Sequence, residues 1–278
     1  MQDTTFETLA DLALKQSGQA FHPNKRYLME ARLATISRRE SFATLDDLAH
    51  CLKSRPNPRF EREVAAALTG KLTRFFGDRE MLDRIVTHVL PERLKLSKTG
   101  RLRVWCAGVS TGQEVYSLIM RLGEQVGSPI SKAELEIIGT DISADCINTA
   151  AAGTYGHFDV QKGLSVHRLL LGLDRQESGD WQVKDKLREQ ATFKVHNLLE
   201  PADTLGLFDV IICRNVLSAM AEPMQKQVAE SLARQLLPDG ILFTAPGETL
   251  NLEDHLIASR DFRGALQRPG DKDKVAAA

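Results

Sequence analysis

The chain has 278 residues, 42% of them apolar and 26% charged, with a formal charge of −1; this excludes wholesale disorder and a general nucleic-acid binder, and leaves room for one large unit or two compact ones. Four cysteines, Cys51, Cys106, Cys146 and Cys213, stand without CxxC spacing, which excludes a disulfide framework and a zinc site and points to a reduced, cytoplasmic protein with no metal. The start, MQDTTFE, is no signal peptide, and no apolar run approaches membrane-spanning length.

Charge is unevenly spread. Residues 1–99 carry 17 Lys and Arg against 13 Asp and Glu, and the remainder 19 against 24. A basic, helical first part joined to an acidic second part suits a partner with an acidic surface, although charge alone is equally compatible with a solvated face. In the first part, Phe6, Leu9, Leu12 and Ala13 recur at helical spacing and Gly18 ends the helix. After His22-Pro23-Asn24, a second helix places Leu28, Ala31, Leu33 and Ile36 inside and Lys25, Arg26, Arg32, Arg38 and Arg39 around its surface. Thr44 is the expected N-cap of a third helix, which Pro56-Asn57-Pro58 terminates. A fourth helix is expected over 59–68 and a fifth over 79–89, ended by Pro91.

From Leu102 the pattern alternates strand and helix, the mark of a mostly parallel sheet. Strands are expected over 103–106, 135–140, 192–196, 208–213 and 241–244, and helices over 113–125, 144–152 and 223–236. Leu237-Pro238-Asp239-Gly240 reads as a turn. Residues 155–190 interrupt the alternation with a Gly163-Leu164-Ser165 turn, a leucine-rich helix and a small hairpin around Trp181, which reads as a core residue. The expected division is a helical domain over 1–90, an α/β domain over 91–268 with that insertion, and a frayed tail over 269–278.

One stretch organises the second part: Val104-Trp105-Cys106-Ala107 breaks into Gly108-Val109-Ser110-Thr111-Gly112, and a helix begins at Gln113. Strand, tight turn and helix start put free backbone N–H groups and small residues at one place, where a ligand can approach closely. The G-x-x-x-G spelling alone is a weak signal. Its context is Leu135 to Asp141, a second apolar run ending in an acid, and an acid at that strand end is placed to accept hydrogen bonds from ribose hydroxyls. Capping of the helix that follows is the other role open to Asp141. A nicotinamide-dependent enzyme fits the bare strand-turn-helix pattern.

Several motifs in order are more specific than any one. Residues 68–76 (LTGKLTRFF), 105–117 (WCAGVSTGQEVYS), Thr140-Asp141-Ile142, Asn197-Leu198-Leu199 and 208–217 (FDVIICRNVL) resemble the CheR family of chemotaxis receptor methyltransferases over roughly Leu9 to Leu250. The resemblance implies an α/β, Rossmann-like S-adenosylmethionine-dependent methyltransferase sheet with an N-terminal all-α domain and a small β-hairpin insertion. It implies methyl transfer from S-adenosylmethionine to receptor glutamates, leaving S-adenosylhomocysteine. Carried over by position, Thr73 meets the methionine end of the cofactor and Gly108 lines its turn. Glu114 lies near the amino acid moiety and Asp141 takes the ribose. Asn197 and Leu198 flank the adenine, and Cys213 with Arg214 stands at the mouth of the site. Without the family, a structural cap or an ion pair is the other role open to Asn197 and Arg214.

The chain departs from the family pattern at three places. Gly77 replaces the arginine after the Phe-Phe pair, Lys71 an asparagine, and Ala219 a tyrosine. In the family that arginine and tyrosine lie close to the transferring methyl. Two readings follow: Arg74, Lys71 or Arg79 supplies the lost charge, with Arg74 and Arg79 the catalytic candidates, or the chain binds S-adenosylmethionine or its product as a regulatory or docking subunit. The basic second helix is consistent with the family's contact to receptor methylation helices, which assigns Lys25, Arg32, Arg38 and Arg39 to an acidic helical partner. A monomer is expected, with no membrane insertion and no tethering peptide at the receptor's end.

Overall fold

A computed structural model describes residues 1–248 and 255–269; of the expected tail, everything after Pro269 lies outside the described residues. The first part is four helices, α1 (Asp3–Ser17), α2 (Arg26–Arg39), α3 (Leu45–Ser54) and α4 (Pro58–Leu68). Their ends follow local chemistry. Gly18 takes a left-handed φ of 71° at the end of α1, Thr44 and Asp47 form a reciprocal capping box on α3, and the Asn57 side chain accepts from the Arg59 and Phe60 N–H groups ahead of Pro58 in α4. Phe6, Leu9, Met29, Leu33, Leu48, Val64 and Leu68 fill the space between them.

The expected fifth helix does not stop before Pro91. Helix α5 (Arg79–Arg84) passes through one π turn (Ile85–Val89) into α6 (Leu90–Leu96). At that turn the Leu90 N–H donates to the Ile85 carbonyl five residues back. A proline inside a regular helix leaves one carbonyl unbonded and crowds it; the widened turn puts Pro91 in the first turn of a new register, where it is tolerated. Residues 75–90 also differ from the expected domain division. Phe75, Phe76, Met81, Leu82, Ile85, Val86 and Val89 pack into the core of the sheet, away from the core of α1–α4. The sequence division followed helical periodicity, which does not reveal which core a helix joins.

The sheet contains β1 (Arg101–Ala107), β2 (Glu134–Asp141), β6 (Ala191–Val195), β7 (Phe208–Cys213), β8 (Leu236–Phe243), β9 (Ile257–Ala258) and β10 (Ala265–Gln267), with helices α7 (Gln113–Gly123), α8 (Ala144–Ala152) and α12 (Glu222–Gln235). Its order is β6-β2-β1-β7-β8-β10-β9. The first five are parallel; β10 and β9 add antiparallel pairs at one edge. Side chains of β1 alternate between two cores: Leu102, Val104 and Cys106 face α5–α7, while Trp105 and Ala107 face α12. Inside the second core the Trp105 Nε1–H donates to Thr140 Oγ1 at 2.9 Å. The expected turn at Leu237–Gly240 is absorbed into β8 as an irregularity: Phe208 pairs with Leu236, but Val210 pairs with Ile241. Strands β9 and β10, of two and three residues, were too short for alternation to register in the sequence.

The insertion is a sheet of three strands, β3 (Thr154–Tyr155), β4 (Leu173–Arg175) and β5 (Trp181–Val183), in the order β3-β5-β4, with short helices α9 (His157–Gln161), α10 (Val166–Gly172) and α11 (Asp185–Arg188). The expected hairpin is β4–β5, and β3 completes it from the other side. Trp181 is half-buried and packs against the main core.

Loop 69–78 joins the helical part to the sheet and is held by the wholly buried Ser117. Its Oγ accepts from the Phe76 N–H at 2.8 Å and donates to the Gln113 carbonyl at 2.6 Å. Phe76 sits there at φ 48°. In S117A the buried Phe76 N–H loses its acceptor, a cost of about 1–3 kcal/mol; a urea midpoint lowered by that amount with an unchanged slope is the expected result.

Candidate active site

Strand order reverses beside β1, between its neighbours β2 and β7, and the crevice outside the carboxyl ends there is where open α/β sheets bind ligands. Three chain segments turn into it. After β1, the Gly108 and Val109 N–H groups both donate to the Thr140 carbonyl at 2.8 and 2.9 Å, folding the loop across the end of β2. Gly108 has φ 75°, and a Cβ there would stand 2.4 Å from a Val216 methyl. Its smallness therefore serves the contact between two loops of the protein as well as the space beside them. Ser110, at φ 51°, donates its N–H to Asp141 Oδ2 at 2.8 Å and its hydroxyl to the Lys71 carbonyl at 3.0 Å.

Asp141 ends β2. Its Oδ1 accepts from the Ser143 N–H at 2.9 Å, so each oxygen has one backbone partner and lone-pair capacity left over. Burial pushes its carboxyl up from the ordinary aspartate value, opposed by those two N–H groups and by Lys71. The actual N-cap of α8 is Ser143; Asp141 braces the loop leading into it.

Beyond β7, Arg214 is nearly buried and bridges two acids. Its Nη1 donates to Glu114 Oε2 and its Nη2 to Asp78 Oδ2, each at 2.9 Å. Glu114 opens α7, and Asp78 caps α5 through the Met81 N–H. Burial raises the Glu114 carboxyl, with Arg214 opposing and Asp78 adding to the shift. Nε of Arg214 is buried with no partner.

Two connected spaces result. A cleft of about 1190 Å³ is lined by Thr73, Arg74, Gly77, Arg79, Glu114 and Arg214. A narrower pocket is lined by Ser17, Gln19, Asp141, His196, Asn197, Leu198 and Ala219, and both share Gly70, Gly108, Asn215 and Val216. Of the expected cofactor residues, Thr73, Gly108, Glu114 and Arg214 face the cleft, while Asp141, Asn197 and Leu198 face the pocket. Cys213 differs: it is wholly buried at the end of β7 and lines neither space, and burial beside Glu248 and Glu114 pushes its thiol up. A strand's last inward residue belongs to the core, and position in a motif does not reveal that. Asn197 is engaged structurally as well, donating from Nδ2 to the Gln16 carbonyl at 2.7 Å and accepting from the Leu199 N–H at 3.1 Å.

The helical part closes the pocket. Ala20 donates to the Ala219 carbonyl at 3.0 Å, Ala221 to the Gly18 carbonyl at 2.9 Å, and Gln19 Nε2 to the Ala219 carbonyl at 3.0 Å. Glu248, absent from the sequence reading, accepts from the N–H groups of Asn215, Ser218 and Ala245 at 2.9–3.1 Å and holds the loop after β7. Only the Gly-Glu dipeptide after β8 marks it in the sequence, and nothing local connects it to Asn215.

The two catalytic candidates both line the cleft: the Arg74 guanidinium folds onto the Gly77 carbonyl at 3.2 Å, and Arg79 donates to the Gly163 carbonyl at 3.3 Å. The four cations expected to meet an acidic partner do not form one free set. Arg32 donates to the Leu68 carbonyl at the end of α4 and lies against Phe21, and Arg39 is paired with Glu40 and Glu63. Lys25 and Arg38 are exposed, and the Arg38 Nε donates to the Ala34 carbonyl within its own helix. Arg32 and Arg39 border a separate cleft of about 1010 Å³ between α2, α4 and α8, which Arg59, Arg62 and Lys71 also line. Among the described residues no cluster of His, Cys, Asp and Glu could hold a metal, and no helix is long and apolar enough to cross a membrane.

Two family models match the chain: the CheR methyltransferase all-alpha domain over residues 4–69 and the CheR methyltransferase SAM-binding domain over residues 71–262. Among similar proteins, chemotaxis protein methyltransferase 1 of Pseudomonas aeruginosa is 33% identical over 253 residues, covering 90% of this chain and 92% of that one. Chemotaxis protein methyltransferase Cher2 of Pseudomonas putida is 31% identical over 253 residues with the same coverage.

Proposed function

The chain belongs to the CheR methyltransferase family, and from that premise we propose that it transfers a methyl group from S-adenosylmethionine to glutamate carboxylates of a methyl-accepting chemoreceptor, forming methyl esters. The observation that carries this reading is the pair of joined spaces with a carboxylate in each, Asp141 in one and Glu114 in the other, at the reversal of a parallel sheet.

The donor set fits the cofactor. Asp141 retains lone pairs for two ribose hydroxyls, Leu198 offers an apolar face to a base, and Glu114 suits the ammonium of an amino acid. Arg214 opposes the upward push that burial gives the Glu114 carboxyl and suits the cofactor's carboxylate. When bound, S-adenosylmethionine supplies an electrophilic methyl on a positively charged sulfur. The acceptor glutamate is ionised at neutral pH and needs no general base. Opposite charges disappear along the reaction path, so the protein's contribution is to align the acceptor carboxylate and keep water out. Phe75 and Phe76, the buried residues of loop 69–78, fix that wall of the cleft.

Gly77 leaves space that Arg74 fills: a Cβ at Gly77 would stand 3.3 Å from Arg74 Cγ and 3.5 Å from its Nε. Arg74 is thus the cation that replaces the family's arginine and orients the acceptor. Isothermal titration with S-adenosylmethionine and S-adenosylhomocysteine, followed by labelled methyl transfer to membranes carrying the organism's chemoreceptors, tests the reading. Binding with base-labile label on a receptor is expected. Binding without transfer would replace it with a regulatory role, and absence of binding would remove the cofactor assignment. In R74M, transfer is expected to fall roughly 10–100-fold, about 1.4–2.7 kcal/mol at the barrier, with S-adenosylhomocysteine affinity unchanged.

A further inference from the structure

Arg59 and Arg62 stand three residues apart on α4, and Arg32 and Arg39 seven apart on α2, so each pair shares one face of its helix. Both faces line the second cleft, of about 1010 Å³. One of the four is neutralised, because Arg39 pairs with Glu40 and Glu63. Arg32 is half-buried and uses one nitrogen on the Leu68 carbonyl. Arg59 and Arg62 are exposed and form no salt bridge among the described residues.

The opposite bank carries the other sign. Asp145, in the first turn of α8, and Glu200, after β6, both line the cleft; they are exposed and form no salt bridge among the described residues. Ile142 and Val195 add apolar surface to the same bank, and Val195 is 57% exposed. Lys71 lines the cleft from loop 69–78, which joins the two banks.

Banks of opposite sign do not suit a partner of a single charge. A uniformly acidic segment seated on Arg59 and Arg62 would bring its other carboxylates against Asp145 and Glu200. A compact molecule with anionic groups at one end, N–H donors at the other and an apolar face between them satisfies both banks. The volume stands at the upper end of the range usual for small-molecule sites, roughly 300–1,000 Å³. Guanidinium forks match phosphate oxygens in pairs, and a carboxylate accepts from the exocyclic amino group of a base.

We propose that this cleft is a second ligand site, for a nucleoside diphosphate whose base carries an amino group. The phosphates lie among Arg32, Arg59 and Arg62, the amino group donates to the acids of the other bank, Asp145 and Glu200, and the base rests on Ile142 and Val195. No step of methyl transfer uses this site, so it stands apart from the reading above. Thr69, Ile142, His196 and Asn197 line both this cleft and the narrower pocket that holds Asp141. A nucleotide bound here therefore has to be told apart from one bound in the pocket assigned to the cofactor.

The test is equilibrium dialysis of the full chain against radiolabelled ADP, CDP, GDP and UDP, with and without saturating S-adenosylhomocysteine. At least one of ADP, CDP and GDP should bind tenfold or more tighter than UDP, whose base has a carbonyl where that of CDP has the amino group, and S-adenosylhomocysteine should not displace it. R59S/R62S should lower that affinity roughly tenfold or more and flatten its salt dependence, with S-adenosylhomocysteine affinity unchanged. D145A/E200A should keep binding of the diphosphate and lose the preference over UDP. Absence of binding, equal binding of all four nucleotides, unchanged affinity in R59S/R62S, or displacement by S-adenosylhomocysteine would overturn the proposal. So would capture of a polyglutamate peptide in preference to every nucleotide, which would assign the cleft to an acidic partner. Failure of the cofactor assignment is read separately, as absence of S-adenosylhomocysteine binding, because the comparison of R59S/R62S with the unaltered chain needs neither that ligand nor turnover.

Discussion

Replacing Arg214 by leucine should abolish methyl transfer and lower folding stability by about 3–5 kcal/mol, the cost of breaking a buried charge pair by removing one partner. The guanidinium stands between Asp78 and Glu114 at 2.9 Å from each, and its removal leaves two carboxylates facing one another in a largely buried space. Burial and the charge of Asp78 already raise the Glu114 carboxyl, and Arg214 is the group that opposes them; its loss pushes that carboxyl further up and weakens its match to an ammonium group. Urea unfolding measures the stability part, and titration with S-adenosylhomocysteine the binding part. The double variant D78N/R214L separates them: removing one stranded carboxylate should restore much of the stability and none of the ligand affinity. R214K is also informative. A lysine keeps the charge but has no planar fork to reach two acids at once, so it should recover stability only in part. Wild-type affinity in R214L would remove the network from the site.

Substituting Asp141 by asparagine should weaken binding of S-adenosylmethionine and S-adenosylhomocysteine alike, by about 2–3 kcal/mol or roughly 30–150-fold. The carboxylate has two kinds of partner. It accepts the Ser110 and Ser143 N–H groups and in that way sets the loops on either side of the crevice, and its remaining lone pairs face the pocket. An amide has one acceptor oxygen, so one of the two N–H groups meets an NH₂ instead, and the proposed ribose site loses both charge and shape. A pH titration of binding provides a second check. Because burial raises the Asp141 carboxyl, the acceptor form is lost as pH falls through that raised value. Affinity should therefore begin to drop at a higher pH than an ordinary aspartate would give, and D141N should lack that transition. The same loss in D141N as in the unaltered chain across that pH range would assign the titration to another group.

Much of this site is legible in the sequence because its parts are local. A short apolar run breaking into small residues marks the end of a buried strand, and the next such run ending in an acid puts Asp141 at the neighbouring strand end. The resemblance then ordered the remaining pieces, and Thr73, Glu114, Asn197, Leu198 and Arg214 do line the two spaces. What escaped was long-range or depended on packing. Asp78 lies 136 positions from the arginine it holds, and Glu248 lies 33 from the loop it braces. The basic second helix looked like a uniform surface, yet Arg32 and Arg39 are committed to Leu68 and to Glu40 and Glu63; periodicity gives the exposed side of a helix but not what folds down onto it. The π turn before Pro91 likewise depends on a change of hydrogen-bond register that composition does not encode.

The pairing of Gly18–Ala20 with Ala219–Ala221, together with the Asn197–Gln16 bond, has a kinetic consequence. On the proposed reading a nucleoside between Asp141 and Leu198 would sit beside that seam, which also lines the pocket, and its release is expected to depend on how readily the seam parts as well as on its own contacts. The seam joins the helical domain to the loop after β7, so on that reading the exchange of product is expected to respond to contacts made by the helical domain.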